Sequence, residues 1–170
     1  DGDWKALFLL GTPERQDSDL LMVAVGTAAS NDETLRSLVE KHGANWKQFD
    51  HAWTEADNQR FLREYPAIAA SLGKQVTEKP EMFAAAQSYI AKKSEPSSTK
   101  VHELRNLARH GATAVGESLE SRTCIERHYD AQGNQTGLVP RTFSVKSRLW
   151  FRQIDGRWYL ATENEITPAK

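Results

Sequence analysis

Asp50 and His51 stand together between Phe49 and Trp53, with Trp46 one helical turn earlier. A carboxylate and an imidazole set among rings could place a proton-transfer group in an apolar pocket, where burial moves a pKa toward neutrality. The plainer reading weighs more: aromatics at 46, 49 and 53 keep helical spacing and form a core stripe, which leaves Asp50 and His51 in water. Glu126 and His128 sit two apart in a strand-like run and so project from one face, as an acid/base pair requires. Cys124 and Asp130 share that face, and a solvated strand surface is the plainer reading of Glu126 and His128.

Other chemistries find less support. The five histidines, His42, His51, His102, His110 and His128, form neither an H-x-x-x-H nor an H-E-x-x-H pattern, so no metal site is expected. His42, near a helix end, complements the dipole there. Cys124 is the only cysteine, which excludes an internal disulfide and reads as a small buried hydrophobe. No G-x-S-x-G elbow, P-loop or G-x-G-x-x-G occurs, and no cofactor is expected. With 22 basic against 23 acidic side chains and a net charge of -1, no overall field draws the chain to nucleic acid. Lys92, Lys93, Lys100, Arg105, Arg109 and His110 make the densest basic cluster, interrupted by Glu95 and Glu103; it reads as a solvated face, with an acidic partner surface as the sharper alternative.

The elements that must position these residues follow from periodicity. Asp1 to Ser18 is a lead-in segment around Trp4–Leu10, and Asp19 to Ala29 reads as a buried helix. Ser30 with Glu33 forms a capping-box pattern for a helix carrying Leu35, Leu38 and Val39 and stopped by Gly43. Thr54 with Asp57 starts another, bearing Phe61, Leu62 and Tyr65 and ending before Pro66, with a short turn from Ile68 to Gly73. Thr77 and Pro80 mark a third start, followed by the stripe Met82, Phe83, Ala86, Tyr89 and Ile90. Lys92 to Lys100 reads as a loop, and Val101, Leu104, Leu107 and Ala108 as a short helix ended at Gly111. From Ala112 the period is two: Val115, Leu119, Ile125 and Tyr129 carry odd numbers, as do Phe143, Val145, Leu149 and Phe151, with the turn at Asp130 to Gly137 between them.

The final hairpin is the most explicit signal. Asp155-Gly156 favours a two-residue type I′ turn, so residues whose numbers sum to 311 should face each other. Phe151 then meets Leu160, Gln153 meets Trp158, Leu149 meets Thr162 and Val145 meets Ile166, while Arg148 meets Glu163 and Lys146 meets Glu165. The first set gives a core face of Val145, Leu149, Phe151, Trp158 and Leu160, and the second an outer face of matched charges around Trp150 and Tyr159.

The expected fold is α+β, a single domain over residues 1–170, with 1–111 mainly helical and 112–170 an antiparallel sheet. The helices should pack on a curved sheet of three to four strands. No apolar run reaches the roughly 18 residues that a membrane span needs, the longest being Leu20–Val25 with its extension to Ala29. The start at Asp1 fits a removed export signal or anchor, or equally a truncation.

The hairpin Ser147 to Leu160, following long strands, resembles the closing half of an NTF2-like, cone-shaped domain. That resemblance, over Val101 to Ile166, implies a curved sheet and helices enclosing a cone. Some relatives are SnoaL-like isomerases or dehydratases with an Asp or His in the pocket; others are binding or assembly modules, including periplasmic VirB8-like domains of secretion machines. The hairpin's apolar inner face favours the second kind: a non-enzymatic protein-interaction domain, an accessory protein of bacterial type such as an exported lipoprotein, periplasmic rather than cytoplasmic. Its partner surface would comprise Trp150, Tyr159, Arg148 and Arg152. The alternative is a small-molecule isomerase, hydrolase or hydrophobic ligand carrier using Asp50, His51 or Tyr65.

Overall fold

A computed structural model describes residues 3–94 and 98–163. Helices occupy the N-terminal side and a curved, unclosed, four-stranded antiparallel sheet the C-terminal side, so the fold is α+β. The chain divides into two compact units, one within Asp1–Ile90 and Tyr159–Thr162, the other within Ala91–Trp158 and Glu163–Lys170.

In the first unit, α1 (Trp4–Leu9) is capped by Asp3, whose carboxylate accepts the Ala6 N–H at 2.9 Å. Thr12 caps α2 (Pro13–Ala29), with Pro13 in the first turn, where its missing N–H costs nothing. The expected buried helix is therefore present and begins six residues before Asp19. Helix α3 (Glu33–Lys41) starts two residues later than the Ser30–Glu33 pattern implied: Asp32 is the cap, accepting from Thr34 and Leu35 at 3.1 and 3.2 Å. Ser30 instead closes α2, its hydroxyl donating to the Thr27 carbonyl. Gly43 has φ +85°, and a β-carbon there would lie 2.7 Å from the Gln75 carbonyl, so the stop after α3 needs glycine.

The aromatic stripe is not one helix. Trp46–Phe49 forms a single 3₁₀ turn with Trp46 and Phe49 buried, and Trp53 lies outside any helix, half-buried. The Thr54–Asp57 capping box does start α4 (Glu55–Gln75). That helix runs through Pro66 and Gly73, against the expectation that it ends there. Pro66 removes the N–H that would bond the Leu62 carbonyl, and Leu62 is exposed, so water can serve that group. Gly73 is buried, and a β-carbon there would overlap the Asp17 carboxylate, so the close approach needs glycine. Helix α5 (Lys79–Lys93) buries Met82, Phe83 and Ala86, as its stripe predicted, and extends across the first residues of the expected loop. Phe8, Leu20, Leu21, Val39, Leu72 and Met82 lie in the core. The lead-in segment is held by a parallel bridge between Gly11 and Leu160, with Thr12 N–H donating to the Leu160 carbonyl and Leu160 N–H to the Leu10 carbonyl, each at 2.8 Å.

The second unit begins with the largest departure from expectation. Val101 to Ala108 is not helical but lies in β1 (Ser98–His110), followed by β2 (Thr113–Tyr129), β3 (Gln135–Ile154) and β4 (Arg157–Ala161), in sheet order β1-β2-β3-β4. Strand β1 carries two register shifts against β2, between Val101 and Glu103 and between Arg105 and Ala108. In a regular strand, residues three apart point to opposite faces. Here the extra residues realign them: Val101 stands opposite Glu120 and Leu104 opposite Ser118, while Leu104 and Leu107 both approach Gly116. Asn106, with φ +51°, lies in the second irregularity, and its amide donates to Glu117 at 2.8 Å.

Between β2 and β3 the pairs are Ala114 with Phe151, Gly116 with Leu149, Glu120 with Val145 and Glu117 with Arg148. Even positions of β2 thus share a face with odd positions of β3, so the odd-numbered apolar residues of the two strands lie on opposite faces rather than on one. The connecting turn is shorter than Asp130 to Gly137, since Asp130 accepts the backbone N–H groups of Gln132 and Asn134 and β3 resumes at Gln135. At the last hairpin Asp155 and Gly156 have φ +49° and +79°, the signature of the expected type I′ turn. Strand β4 ends at Ala161, so Thr162 and Glu163, expected to pair with Leu149 and Arg148, lie beyond it. The pairings to Glu165 and Ile166 fall outside the described residues. Trp158 is exposed rather than in a core, with the Arg109 guanidinium 5.1 Å from its ring centre.

Candidate functional site

Two places combine suitable side chains. The first is a cleft of about 160 Å³ in the first unit, lined by Gln48, Phe49, His51, Trp53, Asp57 and Phe61 among others. Its walls are built by the break between the 3₁₀ turn and α4. Trp53 Nε1–H donates to the Phe49 carbonyl at 3.2 Å, which fixes the indole. His51 then stacks on it with centroids 5.3 Å apart and an interplanar angle of 12°. Phe61 meets Trp53 and Tyr65 edge-on at 5.2 and 5.4 Å. Asp57 sits where the capping box places it, and the Thr54 hydroxyl and backbone N–H hold its carboxyl below the usual range.

The three residues singled out for proton chemistry engage different partners. His51 lines the cleft; Asp50 is exposed and its carboxylate lies 3.9 Å from the Arg36 guanidinium. Tyr65 reaches the Ser18 carbonyl at 3.5 Å, and burial raises its phenol above the ordinary value. Trp46 also turns elsewhere, with Arg36 over its ring at 4.7 Å. Both Asp50 and His51 are exposed, as the plainer reading of the stripe required.

The second place is the sheet. Glu126 and His128 do share a face, and Glu126 pairs with Arg141 at 3.1 Å. Cys124 is half-buried rather than buried. In the basic cluster, Arg105 pairs with Glu103 at 2.6 Å, so part of its charge is spent within β1. Of the expected partner-binding residues, Arg148, Trp150 and Arg152 stand opposite Glu117, Val115 and Thr113 on one face, whereas Tyr159 lies in β4 within the first unit. The other face carries Val101, Leu104, Leu107 and Phe143, exposed by 60%, 49%, 59% and 45%.

That face also holds a polar network that the sequence reading missed. Glu120 is buried, accepting from the Ser118 hydroxyl at 2.5 Å and from Arg122 Nε and Nη2 at 3.2 and 3.0 Å; Arg122 also reaches Ser147 Oγ at 3.4 Å. The Ser118 and Arg122 bonds hold the Glu120 carboxyl below its ordinary value. The period-two spacing of Ser118, Glu120 and Arg122 was the available signal, since it places all three on one face. Among the described residues, no group of three or more His, Cys, Asp or Glu side chains could hold a metal ion, and no helix is long and apolar enough to cross a membrane.

No protein-family model matches the chain, and no curated protein matches it.

Proposed function

We propose that the chain is a protein-interaction or assembly domain that meets a protein partner through the sheet face bearing Val101, Leu104 and Leu107. The observation that carries this reading is the alignment of those three side chains on one face by the two irregularities in β1. Without those insertions the row would be split between faces; with them it forms an exposed apolar strip, continued across the sheet by Phe143. Exposed apolar residues gathered into one strip, with polar groups beside them, are what a protein interface presents. The neighbouring Glu120 network supports the same use, because the Glu120 carboxylate already accepts from Ser118 and Arg122, so a partner covering it would not leave that charge unpaired. Membership of the NTF2-like superfamily belongs to the proposal and rests on the Asp155-Gly156 hairpin.

Size exclusion with light scattering, together with a pull-down from native extract, tests it. The expected result is a specific complex that Leu104→Asp and Leu107→Asp abolish without lowering the melting temperature. A strict monomer that captures nothing would overturn the reading, as would a complex indifferent to both substitutions.

A further inference from the structure

We propose that the cleft beside His51 binds a single aromatic ring bearing a hydroxyl or N–H donor, the chemistry of phenols and indoles. Three observations converge on that class, and none depends on the sheet. Size comes first: the cleft measures about 160 Å³, and an apolar protein cavity of about 150 Å³ is known to accept benzene. The lining comes next. Phe49, Trp53 and Phe61 supply aromatic surface, and the Trp53 bond to the Phe49 carbonyl holds the largest ring in place before any guest arrives.

Polarity is the third. The groups around the opening are rich in acceptors. Gln48 donates its amide N–H to the Asn45 carbonyl, which leaves its side-chain oxygen to accept. Asp57 takes both Thr54 side-chain and backbone bonds on Oδ2, so Oδ1 is outside that box. His51 offers a ring nitrogen in its neutral form. The cation at the rim, Arg60, lies 3.6 Å from Glu64 and is partly neutralised by it. A ring with a donor therefore satisfies both walls and rim, whereas a carboxylate-bearing ring would face Asp57. The ring can arrive as a free small molecule or as a Tyr or Trp side chain of a protein.

Phenol, indole and toluene, titrated separately into the whole chain and followed by NMR at the Trp53 indole N–H and the Gln48–Phe61 amides, test the proposal. Phenol and indole should give saturable shifts confined to the cleft, tighter than toluene by roughly twofold to tenfold, the worth of one hydrogen bond. His51→Ala and Gln48→Leu, both at exposed positions, should weaken phenol by a similar factor while leaving thermal unfolding unchanged. N-acetyl-tyrosinamide separates the sources: binding at least as tight as phenol assigns the site to a protein side chain, and weaker binding to a free small molecule. Absence of saturable shifts with phenol and indole overturns the proposal, and so does toluene binding as tightly as phenol. Unchanged phenol affinity in both variants would do the same.

Discussion

Leu104 leans over Gly116, its Cδ1 3.3 Å from the point where a β-carbon on that glycine would sit, and Leu107 reaches the same point from the other side of the Asn106 kink. The small residue in β2 is thus the floor on which the exposed leucine row rests. Gly116→Ala would add a methyl against two flexible side-chain ends that have solvent to move into. We expect it to stabilise the sheet by about 0.5–1 kcal/mol, because alanine restricts the unfolded chain, while lifting both leucines. Urea unfolding reads the first effect, and partner capture the second.

Asn106 holds φ +51°, a conformation that asparagine tolerates and β-branched residues do not. Asn106→Val should cost about 1–2 kcal/mol, and Asn106→Gly much less, although it loses the 2.8 Å bond to Glu117. Chemical denaturation of the pair separates backbone strain from the lost side-chain bond.

Glu120 sets an acid limit on the sheet. Its carboxyl is depressed in the folded state, so the unfolded chain binds more protons there as acid is added. The stabilisation is fully present above the unfolded value of about 4.3 and is lost as pH falls through the folded value. Glu120→Gln should flatten that part of the stability-versus-pH curve, measured by urea titration across the acid range. Ser118→Ala should cost about 1 kcal/mol at neutral pH.

One substitution should have opposite signs in two helices. Gly26 in α2 is exposed with open space around its α-carbon, so Gly26→Ala should stabilise by about 0.5–1 kcal/mol. Gly73 in α4 faces the Asp17 carboxylate, which itself receives Lys79 at 2.7 Å. Gly73→Ala gains the same propensity and loses about 1–3 kcal/mol to overpacking. Thermal melts of the two variants should move in opposite directions.

Much of the architecture was legible because it is written locally. The Thr54–Asp57 box, the Gly43 stop and the Asp155-Gly156 turn each depend on a few adjacent residues, and each appears where expected. What escaped depends on partners far along the chain. Val101, Leu104 and Leu107 carry helical spacing, and only the irregular pairing with β2 turns that spacing into one face of a strand. Pro66 and Gly73 look like helix breaks until the exposure of Leu62 and the position of Asp17 are known. At the candidate cleft, His51 beside Trp53 was readable from adjacency, but the arrival of Phe61 from α4 was not.

The irregularities in β1 have a bearing on self-association as well. An open sheet of long strands offers a line of unpaired N–H and C=O groups on which further chains can add. With extra residues between Val101 and Glu103 and between Arg105 and Ala108, that line loses its regular repeat, and the opposite border is the five-residue β4. Neither margin gives a long regular template for polymerisation. The same kinks that gather an apolar strip on one face therefore act against amyloid-like growth from its edge.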